Sequence, residues 1–158
     1  TIRPVMSACH DRLPDGAKHL PERQCGRPCV MKLVQNHTGA QTLIGYAIEI
    51  DKGSARAVLD LDERHLNRTD SLHGGLMATL LDAASGYTAS LSVDGETLPA
   101  VATVSMTVNY LSGVRSGRVI ATAKKTGGGR KLIFVDAQLA KDDGTLIATS
   151  TGTFKLLS

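Results

Sequence analysis

Polar and apolar residues alternate cleanly along SARAVLDLD (54–62), where Ala55, Ala57, Leu59 and Leu61 stand against Arg56, Val58, Asp60 and Asp62. A period of two puts each set on one face of a strand. The apolar run LIGYAIEID (43–51) alternates loosely and predicts its hairpin partner, with Lys52-Gly53 as the turn. After Pro99 the pattern is β throughout. Runs at 100–112, 117–126, 130–142 and 145–157 predict strands, separated by glycine-bearing turns at Gly113–Gly117, Gly127–Gly129 and Gly144. Consecutive hairpins imply a mainly antiparallel sheet. Between the two groups, HGGLMATLLDAASGYTASLSV (73–93) predicts one long helix over a face of that sheet. PCVMKLVQN (28–36) predicts a short helix with Pro28 near its start. Residues 1–27, with Pro4, Pro14 and Pro21 among scattered charges, predict an irregular arm before a single α+β domain at 28–158.

The long helix carries one formal charge, Asp82. Surface helices normally carry several charged residues on the solvent side. At 100° per residue, Met77, Leu80, Leu81, Ala84, Tyr87, Thr88 and Leu91 gather into a core stripe. The other side holds Gly75, Ala78, Thr79, Asp82, Ser85, Gly86 and Ala89, all small and uncharged except the carboxylate. Such a face is expected to be covered, and one helix on one sheet has no cover left except a second subunit. Asp82 is then a buried carboxylate, which is costly without a partner or a task. A solvated carboxylate on an outer face is the alternative. His73 lies nine residues before Asp82, half a turn away around the helix and roughly 13 Å along it. If both act in one site, they come from different chains. The N–H groups of Gly74 and Gly75, in the first turn, lack intrahelical acceptors and form the positive end of the helix. Without side chains in the way, they suit an oxyanion.

Composition narrows the options. A chain of 158 residues suits one domain, and 3% aromatic content without Trp means a core of aliphatic side chains, Ala and Met. The net charge of +3 is spread along the chain, which argues against a nucleic-acid face but allows a few cations to hold a small anionic ligand. Cys9, Cys25 and Cys29 are odd in number and lie outside the patterned region, so no disulfide framework is expected. Their spacing with His10 or His37 fits no zinc template, and no metal is expected. The N-terminal run has no apolar core of the kind a signal peptide needs. Gly, Ser, Thr and Asp82 within 73–93 argue against a membrane span. A cytoplasmic protein with reduced thiols is expected.

The segment HLNRTDSLHGGLMATLLDAA (65–84) combines H-x-N, then His-Gly-Gly, then Asp nine past the second His. This resembles the hotdog-fold acyl-CoA thioesterases of the phenylacetate-pathway type, and the order hairpin, long helix, further strands matches as well. The resemblance implies a curled antiparallel sheet wrapped around one central helix, and hydrolysis of an acyl-CoA thioester to free acid and CoA. It implies that Gly74 donates its N–H to the thioester oxygen. Asp82 would act from across a dimer interface as general base or nucleophile. Asn67 would help place the carboxylate, water or thioester, His73 would orient the loop and the thioester, and Thr103 would help hold the water. It further implies a homodimer, extended to a dimer of dimers, and no cofactor beyond the CoA of the substrate. Gly75, Gly129, Arg130, Lys131 and Met106 are the substrate-binding candidates, Arg130 foremost for phosphate. Arg115, Arg118, Lys124 and Lys125 are further cations near the turns. Leu76, Tyr87 and Leu98 join Met106 as pocket candidates that serve equally well as core.

One departure stands out. The family usually has Gly three residues before the His, and this chain has Asp70. Asp tolerates a left-handed backbone less well than Gly. An enoyl-thioester hydratase on the same fold resembles a different Asp-and-His pattern, absent here. A non-catalytic domain that binds an acyl thioester is the other alternative. Retention of Asn67, Gly74 and Asp82 together argues against it.

Overall fold

A computed structural model of the chain describes residues 3–5, 31–35, 37–51 and 53–157. Eight strands form one antiparallel sheet: β1 (Arg3–Val5), β2 (Met31–Val34), β3 (Ala47–Asp51), β4 (Ser54–Asp60), β5 (Val101–Tyr110), β6 (Arg118–Gly128), β7 (Leu132–Lys141) and β8 (Leu146–Leu156). Their order across the sheet is β1-β2-β3-β4-β6-β7-β8-β5, so β5 ends it on one side. The helix α2 (Gly74–Leu91) packs against β4, β5, β6, β7 and β8. This is the expected α+β hotdog architecture.

The expected hairpin forms, with Ile48 opposite Ala57 and Ile50 opposite Ala55, all buried. The core stripe of α2 also behaves as expected. Met77, Leu80, Leu81, Ala84 and Leu91 are buried among Ile48, Leu59, Val119, Leu139 and Ile147, with Tyr87 packed beside them. Ser85 and Ala89, assigned to the outer face, are buried too. Ala89 lies with Ile133, Val135 and Phe154, because the far strands of the curled sheet reach further around the helix than a flat sheet does. The outer face is therefore narrower than the sequence implied.

The short helix expected at 28–36 is absent. Met31–Val34 is a strand, with Val34 opposite Ile48 and Lys32 opposite Ile50. Four apolar or long side chains cannot nucleate a helix alone, and the open edge of β3 offers hydrogen bonds at once. Arg3–Val5, inside the segment expected to be irregular, pairs with the other edge of β2. Cys9, Cys25, Cys29 and His10 lie outside the described residues.

A helix not expected from the pattern, α1 (Gly39–Ile44), delays the start of β3 to Ala47. Thr38 caps its N-terminus by accepting from Gln41 N, and Gly45 ends it at φ +90°. Its amphipathic signal is a single buried residue, Gln41, whose Nε2 donates to Val34 O at 3.2 Å. No helix among the described residues is long and apolar enough to cross a membrane.

Candidate active site

The loop ahead of α2 is built around two histidines. His65 is 2% exposed. Its Nδ1 accepts from Asp62 N at 2.9 Å, so its neutral ring carries the proton on Nε2, which donates to Ile44 O at 2.8 Å. Its backbone oxygen accepts from His73 N at 2.9 Å. His65 thus ties α1, the turn at Glu63–His65 and the start of α2 together. The H-x-N pattern contained this residue but gave it no role.

Asn67 organises the rest of the loop. Its Oδ1 accepts from Thr69 N at 2.9 Å, Thr69 Oγ1 at 2.7 Å and Ser71 N at 3.3 Å. Its carbonyl oxygen is thereby committed to the loop, leaving Nδ2 as the side-chain group able to face a ligand. Asp70 adopts φ +55°, a left-handed conformation, at the position where the resemblance leads one to expect glycine. The fold keeps the loop and accepts the strain.

His73 is the N-cap of α2, with Nδ1 accepting from Gly75 N at 2.9 Å. A Cβ on Gly75 would sit 3.0 Å from that nitrogen, so any larger residue there has to push the capping imidazole aside by a few tenths of an ångström. This spends the Gly75 N–H, one of the two donors expected to be open. The Gly74 N–H, at the first helical position, has no acceptor among the described residues, while Gly74 O accepts from Tyr110 Oη at 3.2 Å.

Asp82 lies two turns further along. Thr103 Oγ1 donates to Asp82 Oδ1 at 2.8 Å. A bulge between Thr103 and Ser105 makes this possible: Thr103 pairs with Phe154 and Met106 with Gly152, so both point to the helix side while Val104 is displaced to solvent. Asp82 is half-buried in the single chain, not buried as expected. It opens on a cavity of about 420 Å³ shared by Thr79, Thr103, His37, Tyr46 and Tyr87. Burial raises the Tyr46 phenol above its ordinary range, and Tyr87 and Asp82 push the same way against the Thr38 hydroxyl. Burial alone raises Tyr87. Both stay neutral phenols at ordinary pH.

The sequence candidates therefore fall into two groups. Asn67, His73 and Gly74 surround the helix N-terminus, and Asp82 and Thr103 lie about 12 Å along the axis. Of the pocket candidates, Tyr87 and Leu98 line the cavity, whereas Met106 and Leu76 pack against the core outside it. His37, Tyr46 and Gly86 line it without having been singled out for that. They come from the residues just before α1, the link between α1 and β3, and the small-residue face of α2, which no local pattern connects.

Arg130 and Lys131 stand exposed at the β6–β7 turn, without ion-pair partners among the described residues. Gly129 N closes the turn on Leu132 O at 2.8 Å. Gly128 has φ +111°, and a Cβ there would lie 2.3 Å from Leu132 O, so only glycine fits. Arg118 is otherwise engaged, bonded to both oxygens of Asp60 at 2.8 and 2.9 Å, and drops out of the candidate cations.

The thioesterase superfamily model matches residues 70–148. An esterase-like protein of Caenorhabditis elegans is 31% identical over 71% of this chain and 66% of its own length, just under two thirds. The mouse acyl-coenzyme A thioesterase 13 is 35% identical over 60% of this chain and 67% of its own length. The structure of a thioesterase family protein from Silicibacter pomeroyi superposes with a TM-score of 0.67 at 30% identity, covering 76% of this chain and 90% of that one. The chain belongs to the thioesterase superfamily and has the hotdog fold.

Proposed function

We propose that this chain hydrolyses acyl-CoA thioesters in sites shared between two subunits, with the Gly74 N–H of one and the Asp82 carboxylate of the other. The relation of α2 to the edge strand carries this reading. Asp82 is level with Thr103, and Gly74 with Tyr110, so α2 and β5 run antiparallel. Among the described residues β5 has an unpaired edge, with Val104 57% and Tyr110 55% exposed. An open edge of ten residues invites pairing. Antiparallel pairing with β5 of a second copy, centred on Thr107 and with the bulge residue Val104 skipped, sets Thr103 opposite the partner's Tyr110. The same two-fold axis lays the two α2 helices side by side, with Asp82 opposite the partner subunit's Gly74. Two groups that one chain holds apart then face each other.

The chemistry follows from the atoms. The Gly74 N–H donates to the thioester oxygen, where negative charge develops as the carbonyl becomes tetrahedral. Thr103 holds Asp82 Oδ1, which leaves Oδ2 to take a proton from water or to attack the carbonyl itself. Collapse of the tetrahedral species expels the CoA thiolate, a good leaving group that needs little acid assistance, and gives the free acid directly after attack by water, or an Asp82–acyl anhydride that water then hydrolyses after attack by Asp82. Asn67 Nδ2 and His73 border the same N-terminus. Arg130 and Lys131, on a turn fixed by Gly128, are the cations for the CoA phosphates.

The test is a panel of acyl-CoAs read by free-thiol release, for wild type and Asp82→Asn. Turnover by wild type and its loss in a folded, dimeric Asp82→Asn supports the reading. A variant that turns over like wild type, or a wild type inert on every thioester, overturns it.

A further inference from the structure

Beyond Asp82 the cavity continues along α2, and its walls describe what it takes. Asp82, Ala83, Gly86, Tyr87 and Ser90 follow one another along the helix face that opens into it. Leu98, Pro99 and Val101 form the opposite wall. Ser90 closes the far end, where its Oγ donates to Pro99 O at 2.6 Å. Among the described residues that line the cavity, Asp82 is the only carboxylate and there is no Lys or Arg. In the paired arrangement proposed above, the partner's Gly74 stands level with Asp82, and the residues named along the stretch from Asp82 to Ser90 all come from one chain.

We infer that this stretch is the acyl groove, that it takes an uncharged chain, and that Gly86 sets how far the chain reaches. The inference rests on the thioesterase reading. The subunit that supplies Asp82 also holds the acyl group, while its partner receives the carbonyl oxygen. From Asp82 to Ser90 is about 12 Å at 1.5 Å per residue. An extended chain advances about 1.2 Å per bond, a third of the rise of an extended residue. The groove therefore holds about ten bonds. Gly86 lies halfway, at about five. Its missing side chain leaves the passage open: a Cβ there would approach nothing nearer than Phe154 and Val101, both at 3.9 Å. A leucine at this position has room for its Cβ and projects the rest of its side chain into the groove. Among the described lining residues a carboxylate at the end of the acyl chain meets Asp82 and no Lys or Arg, with His37 the one imidazole there, so dicarboxylic acyl groups bind less well than uncharged ones.

The experiment measures kcat/KM for butanoyl-CoA and decanoyl-CoA with wild type, Gly86→Ala and Gly86→Leu. Each buried methylene is worth about a factor of four. Gly86→Leu, which displaces the roughly four carbons of a decanoyl chain that lie beyond Gly86, lowers the decanoyl-to-butanoyl ratio by about 250-fold. Gly86→Ala lowers it by about fourfold, and as the better helix former it keeps the test open should leucine impair folding. A wild type that hydrolyses decanoyl-CoA, with ratios unmoved in both variants, overturns the groove while leaving the thioesterase reading intact. A wild type that hydrolyses other acyl-CoAs but neither of these two overturns the groove alone, and one inert on every acyl-CoA overturns the thioesterase reading and this inference with it.

Discussion

Replacing Gly74 by proline deletes one hydrogen-bond donor and little else. Gly74 is the first residue of α2, where a backbone N–H has no helical acceptor and proline is favoured. The preceding residue must be extended for proline to follow, and His73 already has φ −62° and ψ 129°. A Cβ at Gly74 would meet the Tyr110 ring at 3.4 Å, ordinary contact. Proline also restricts the unfolded chain, which offsets the loss of contacts by about 0.4–1 kcal/mol. The folded protein should therefore keep its thermal midpoint. Removing one oxyanion donor costs about 10²–10³ in kcat, or roughly 3–4 kcal/mol of transition-state stabilisation. Gly74→Ala keeps the N–H and serves as the control, with a loss below about tenfold against the same scale. The assay is free-thiol release under saturating acyl-CoA, alongside thermal unfolding. A folded Gly74→Pro with kcat within threefold of Gly74→Ala refutes the assignment of Gly74.

Gly128→Ala should lower stability in urea unfolding by about 2–5 kcal/mol, from a strained positive φ and contact with backbone. A loss below half a kcal/mol contradicts the geometry. Asp62 tests the loop under the site through pH. The Arg64 guanidinium, aided by the Arg64 backbone N–H and His65, holds the Asp62 carboxyl down at about 2. A depressed carboxylate stabilises the fold above its unfolded pKa and loses that contribution as pH falls through the folded one. The stability difference between wild type and Asp62→Asn should therefore be constant above about pH 5 and shrink toward pH 2. A difference that does not change over this range contradicts the pairing.

Most of the sheet was legible because each hairpin announces itself locally: alternation in Ser54–Asp60, glycines at the turns, β-branched runs after Pro99. Register is fixed by which face is buried. The ends of the chain's first half were not legible. Met31–Val34 becomes a strand because β3 offers it an edge, which is a tertiary fact. The helix α1 rests on Thr38 and Gly45 as caps around one buried glutamine, a signal too short for periodicity. In the candidate site, Asp82 and Gly74 could be found from composition and helix-end chemistry. The bulge that turns Thr103 toward Asp82 has no marker in the sequence, and the resemblance alone pointed to that residue. Asp70 was legible in a sharper sense: the loop needs a left-handed residue, and the chain adopts φ +55° there without glycine. Gly75 was misjudged because a histidine cap is unusual, and the cap consumes its N–H.

The central claim is that each site draws Gly74 from one subunit and Asp82 from the other. Mixing Asp82→Asn with Gly74→Pro under conditions of subunit exchange tests it directly, each variant alone being nearly inactive. Random assortment makes half the dimers mixed, and each mixed dimer holds one intact pair, so about a quarter of wild-type activity should return. If Gly74 and Asp82 served the same site from one chain, no mixed dimer would contain an intact pair. Activity would then stay at the level of the separate variants.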